Sequence, residues 1–211
     1  DVAMSPVDQD EALGNAQAFI KGVLGQGMRP FMVGGDHLCT LTVLRELRAA
    51  RGEAFGLVLL DSHTDLYPPY FGGETLTHGN PFRQAFEEGC LDPTRTVMIG
   101  MRGTSYNNED FQYGWDRGVR IIPIEECMAL GWPAVMQITR EVVGEGPTYV
   151  SFDIDFVDPA YAPGTGTPEV GGPTSFEAIS CVRALRGLDV IGADLVEVSP
   201  PFDTGGITAW L

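Results

Sequence analysis

LVLLDSHTDLYPPY, residues 57–70, decides how the rest of the chain is read. Leu57 to Leu60 are continuously apolar and run straight into Asp61, His63 and Asp65 at every second position. A short apolar run without helical spacing is a strand covered on both faces. If the strand persists past Asp61, its period of two places Asp61 and His63 on one side. Ionisable groups crowded at the end of a buried strand are costly unless something compensates them. The question is whether other strands deliver more of them to the same place.

Three other apolar runs end in the same way. FMVGG (31–35) leads into Asp36 and His37, YVSF (149–152) into Asp153 and Asp155, and DLV (194–196) into Glu197. RTVMIGMRG (95–103) and GVRIIPIEE (118–126) read as two further strands. Helical spacing marks residues 7–24, 41–50, 134–144 and 175–187, the last with Thr174 as N-cap. Strands alternating with helices imply parallel βαβ units and an α/β fold of three layers. In such a sheet ligands sit beyond the carboxyl ends of the strands, where these polar residues fall. Stretches 66–80 and 101–114, rich in Gly, Tyr, Asn and Thr, are expected to frame a pocket there.

One rim of the sheet thus gathers Asp36, Asp61, Asp65, Asp153, Asp155, Glu197, His37 and His63. The third of the three histidines, His78, lies in THGNPF on the loop leaving Asp65. Carboxylates this close repel one another and resist ionisation, so arginine or a metal must neutralise them. The first arginines to follow DSHTD, Arg83, Arg95 and Arg102, are remote from it along the chain. Hard oxygen donors with some imidazole suit manganese or magnesium better than zinc or iron(II). PGTGTPEVGG (163–172) lacks the Lys-Ser/Thr of a phosphate-binding loop and reads as a backbone wall of the pocket.

Composition sets the outer limits. The 211 residues suffice for one domain with a sizeable core, and 44% are apolar. A net charge of −16, from 13 basic and 29 acidic residues, repels nucleic acid and attracts cations. No apolar run is long enough to span a membrane. The four widely spaced cysteines (Cys39, Cys90, Cys127, Cys181), without an export leader, fit a reduced, cytoplasmic protein. The chain opens at Asp1 and stops at GGITAWL where a helix is starting, so the expectation is a single domain over 1–211 cut at both ends from something longer.

GGDH (34–37), DSHTD (61–65), SFDIDFVDPAYAPGTGTPEVGG (151–172) and VEVSPPFD (196–203) together resemble the signatures of the ureohydrolase (arginase/agmatinase) family. The resemblance runs in family order over most of the chain. It implies an arginase/deacetylase-like three-layer αβα fold and a binuclear manganese centre. His37, Asp61, Asp65 and Asp153 would hold one ion, and Asp61, His63, Asp153 and Asp155 the other. Asp36 would act from behind the ligands. The implied reaction is hydrolysis of a guanidino group to urea and an amine. Glu197 would pair with the guanidinium, Asp65 would pass a proton to the leaving nitrogen, and His78 would exchange protons with solvent. The details look most like the guanidinobutyrase, guanidinopropionase and agmatinase branch. Tyr67 stands where arginase carries Asn, and Asn80 where the family pattern has Thr. The resemblance also implies a small cationic guanidino substrate and a homo-oligomer in the full-length form. The rival readings are a single-metal hydrolase of the related deacetylase-like fold and a non-catalytic binding protein.

Overall fold

The computed structural model describes residues 1–5, 7–105 and 107–211. Leu57 to Leu60 lie in β2 (Phe55–Leu60), all six residues of which are buried. Beside it run β3 (Leu91–Met101) and β5 (Thr148–Asp153), both parallel to it. Outward on one side, β5 pairs with β6 (Val190–Val196), and β6 with β1 (Phe31–Val33). On the other side β3 pairs with β4 (Arg120–Pro123). The order is β1–β6–β5–β2–β3–β4, all parallel, as the apolar runs implied.

The alternation along β2 feeds two separate cores. Phe55, Leu57 and Leu59 pack with Leu13 and Ile20 of α1 (Gln9–Gly25), Leu41 and Leu44 of α2 (Leu38–Arg51), Phe82 of α3 (Pro81–Glu87) and Tyr113 of α4 (Glu109–Asp116). Val58 and Leu60 pack with Cys127 of α5 (Ile124–Leu130), Val135 of α6 (Trp132–Val143) and Cys181 of α7 (Ser175–Ala184). Helices therefore cover both faces, which gives three αβα layers. A last short helix, α8, spans Ile207–Trp210. Thr174 caps α7 in a reciprocal box with Glu177. The four cysteines are buried and unpaired, and no described helix is long and apolar enough to cross a membrane.

Three details differ from the reading of the sequence. The stretch 101–114 is not all loop, because α4 begins at Glu109. The short helices α3 and α5 carry no strong periodicity and are legible only in three dimensions. The strands also stop earlier than the period-two argument assumed. β2 ends at Leu60, and Asp155 lies in a 3₁₀ turn (Ile154–Phe156) beyond β5. Local turns do the work instead. The His63 N–H donates to Asp61 Oδ1 (2.6 Å), and the Asp155 N–H donates to Asp153 Oδ1 (2.8 Å). An Asp bonding to the amide two residues on closes a tight turn. The two D-x-[HD] motifs thus use one device to hold their polar residues at adjacent strand ends.

Those ends sit where the sheet changes direction. From β2 the chain moves outward to β3 and β4, and from β5 it moves the opposite way to β6. A crevice opens at such a point of reversal.

Candidate metal centre

The tightest focus of the site is His37 Nδ1. Asp61 Oδ2 lies 3.2 Å from it, Asp65 Oδ2 2.9 Å and Asp153 Oδ2 3.2 Å. All four residues are buried. A second focus is His63 Nδ1, 3.0 Å from Asp155 Oδ2 and 3.7 Å from Asp61 Oδ1. Two sets of potential ligands result, His37–Asp61–Asp65 and Asp61–His63–Asp155, with Asp61 common to both. Asp153 joins the first set through His37. Among the described residues its carboxylate forms no ion pair within 4.0 Å with the His63 ring.

Charge at these foci is unbalanced. Burial opposes the charge of His37, but the carboxyl groups of Asp153, Asp61 and Asp65 converging on its ring hold its imidazole well above the ordinary value. His63 is pushed to about 10: burial works against it, and the hydrogen bond and charge of Asp155 prevail. Burial, then the charge of Asp155, raise the carboxyls of Asp61 and Asp153 well above the usual range. Burial also opposes ionisation of Asp155, yet hydrogen bonds from His63 and Ser62 bring it below the usual value. None of these aspartates has an arginine or lysine partner within 4.0 Å among the described residues. Arg102 is close, but its guanidinium donates to the backbone carbonyls of Gly100, Asp155, Glu169 and Val170. It pins the 163–172 loop instead of neutralising the carboxylates.

This donor set fits divalent metal. One imidazole N–H can serve one of the three carboxylates converging on His37 Nδ1, not all of them. His37 Nδ1 and Asp61 Oδ2, facing each other in the interior, are left without a hydrogen-bond partner. Buried polar atoms are rarely orphaned, and a cation between them would satisfy both.

Above the ligands opens a cavity of about 280 Å³. Both stretches expected to frame a pocket do line it, through Tyr67, Tyr70 and His78 on one side and Thr104, Ser105 and Asn107 on the other. His78 is exposed at this lining, in edge contact with Tyr70 (6.3 Å between ring centroids). Glu197 also lines it, half-buried, with its carboxyl raised by burial. One oxygen, Oε1, accepts the backbone N–H of His37 at 2.8 Å. Asp36 is exposed and outside the cavity, where its Oδ1 accepts the Leu38 N–H at the start of α2.

Backbone strain concentrates here too. Among the described residues, the non-glycines with φ in the left-handed region are Asp65 (51°), Phe71 (51°) and Glu197 (64°), and all three line the cavity. Such conformations cost of order 1–3 kcal/mol and persist where surrounding structure imposes them.

Sequence reasoning passed over the groups behind the ligands. Ser62 donates from both its N–H (3.0 Å) and its hydroxyl (2.7 Å) to Asp155 Oδ1. Ser151 bridges His37 Nε2 and Asp194. Singly they leave a mark, since Ser151, Asp153 and Asp155 are spaced by two and Asp194 is the one charged residue within VIGADLV (190–196), but their pairing comes from the register of β5 and β6.

The fold and site define an α/β protein with a carboxylate–imidazole centre at the switch point of a parallel sheet. Residues 1–211 match the profile of the arginase family, and the chain belongs to that family. It is 52% identical to a guanidinopropionase of Pseudomonas aeruginosa, over 99% of this chain and 65% of that protein. It is 46% identical to a guanidinobutyrase of the same organism, over 100% and 66%. Among solved structures, the proclavaminate amidinohydrolase of Streptomyces clavuligerus superposes with a TM-score of 0.93 at 40% identity, covering 99% of this chain and 69% of that one. The chain thus spans about two thirds of the length of these relatives.

Proposed function

We propose that the protein hydrolyses the guanidino group of a linear guanidino compound to urea and an amine, with two manganese ions per chain. His37, Asp61, Asp65 and Asp153 are the ligands proposed for one ion, and Asp61, His63, Asp153 and Asp155 for the other. The observation that carries this reading is the pair of buried ligand sets sharing Asp61, with orphaned donors facing each other beneath a cavity. Manganese bound there supplies the charge that brings the pKa of an attacking water towards neutrality.

The chain's own residues bind, orient and move protons. Glu197 receives the guanidinium, with Oε1 fixed by the His37 N–H and its other oxygen available to the cavity. Asp65, reaching both the ligand cluster and the cavity, passes a proton to the departing nitrogen. His78 exchanges protons with solvent from the cavity lining. The names of the relatives, and Tyr67 in the lining, favour a guanidino acid such as guanidinopropionate or guanidinobutyrate. Agmatine is the second reading, because the described lining contains no lysine or arginine to receive a substrate carboxylate.

Urea release from a panel of guanidino compounds by the full-length protein tests the proposal. The expected order of kcat/KM is guanidino acid, agmatine, arginine. A higher value for arginine than for the other two overturns the substrate reading. Full activity with a single zinc per chain overturns the binuclear one.

A further inference from the structure

Behind His37, away from the ligand cluster, lies a closed set of hydroxyls around one buried carboxylate. His37 Nε2 is 2.8 Å from Ser151 Oγ, and the Ser151 hydroxyl donates to Asp194 Oδ1 at 2.7 Å. The hydroxyls of Tyr149 and Thr40 donate to Asp194 Oδ2, each at 2.7 Å. Every member is buried. Ser151 and Asp194 stand opposite each other in the β5–β6 ladder, so the sheet register itself sets the contact. A carboxylate deep among apolar side chains costs folding energy, and nothing in the hydrolytic scheme above uses it.

We infer that Asp194, acting through Ser151, is a positioning device that fixes the tautomer of His37 so that its Nδ1 lone pair faces the metal cluster; the inference rests on the metal-binding reading above. The Asp194 carboxylate can only accept, so each of the three hydroxyls turns its hydrogen towards it. Ser151 Oγ then offers His37 a lone pair, and Nε2 must carry the imidazole hydrogen. Nδ1 is left bare, pointing at Asp61, Asp65 and Asp153. Reversing the chain would place a hydrogen on Nδ1, directed into the cation's position. Groups that orient metal-bound imidazoles in this way typically contribute ten- to hundredfold in metal affinity.

The two ends of the chain can be altered separately. In Asp194→Asn the amide can donate to Ser151, which frees the Ser151 hydroxyl to donate to Nε2 and so reverses the polarity. Ser151→Ala removes the link itself. Tyr149→Phe removes one donor to Asp194 and leaves the link and the charge in place. Manganese affinity is measured by equilibrium dialysis on the full-length proteins, with circular dichroism of the metal-free forms as the check on folding. The expected result is a ten- to hundredfold weaker affinity for Asp194→Asn and Ser151→Ala, and a change under about threefold for Tyr149→Phe. Folded Asp194→Asn or Ser151→Ala binding manganese as tightly as the parent overturns the inference, as does an equal loss in all three variants. Should Asp194→Asn not fold, Ser151→Ala decides alone. A parent protein that binds no manganese refutes the metal centre itself, a different outcome from tight binding in every variant.

Discussion

Glu197 sits at φ +64°, where a side chain with a Cβ is strained, and the residue just past β6, turned that way, delivers its carboxylate over the ligands. Among the described residues it has no arginine, lysine or histidine partner within 4.0 Å, so a structural ion pair does not account for it. Glu197→Gln keeps the bond to the His37 N–H and removes the charge. A charge-assisted hydrogen bond contributes roughly 1.5–3 kcal/mol, which corresponds to a loss of about tenfold to a hundredfold in kcat/KM. Manganese content and melting temperature should stay where they are. A variant that loses manganese or unfolds, while its folded fraction works normally, shows a structural role. Asp61 invites a different test, since its two oxygens face the two histidines. Asp61→Asn should lose both ions together, whereas Asp155→Asn should retain the one beside His37. Elemental analysis reads the difference, and one ion retained in Asp61→Asn contradicts the shared role.

At the scale of elements, the loop leaving β3 presses against the site. A Cβ at Gly103 would lie 2.1 Å from Cδ2 of His63, so only glycine lets the imidazole stand where it does. Gly103→Ala should displace His63 and reduce manganese from the proposed two per chain towards one, again by elemental analysis. An unchanged two shows that the loop yields first. Thr174 supplies a contrast. Thr174→Ala breaks the capping box of α7 and should cost about 1 kcal/mol, or roughly 2–4 °C in melting temperature, with metal content unaffected. These elements were unequally legible in the sequence. All six strands showed as apolar runs, because a strand covered on both faces leaves little room for polar residues. The helices α1, α2, α6 and α7 showed by period, but α3, α4 and α5 have only seven or eight residues each, about two turns. The ionisable side chains around the cavity were legible because strand ends gather them. Ser151 opposite Asp194, or Arg102 beneath the 163–172 loop, depends on register between segments distant in the chain, which no local pattern carries.

At the scale of the whole molecule, charge and exposed apolar surface act in opposite directions. A net charge of −16 keeps copies apart and favours approach of a cationic guanidinium. The β1 edge works against that separation. β1 pairs with β6 on one side alone among the described residues, and its Phe31 and Val33 are 68% and 69% exposed. Phe19 of α1 and Met28 stand exposed nearby, along a groove of about 640 Å³. An unpaired strand edge flanked by apolar side chains is a template for association, and a groove of this size exposes surface that folding normally covers. A protein made of residues 1–211 alone should therefore bind an apolar dye, self-associate despite its charge, and melt broadly. A longer form carrying the segments that its relatives have beyond this span should show weak dye binding and a sharp transition if those segments cover this edge. Dye fluorescence, sedimentation and calorimetry on the two proteins make the comparison. A sharp, cooperative transition in a dye-free monomer of 1–211 would show that three short residues of edge strand, under this much negative charge, are too little to drive association.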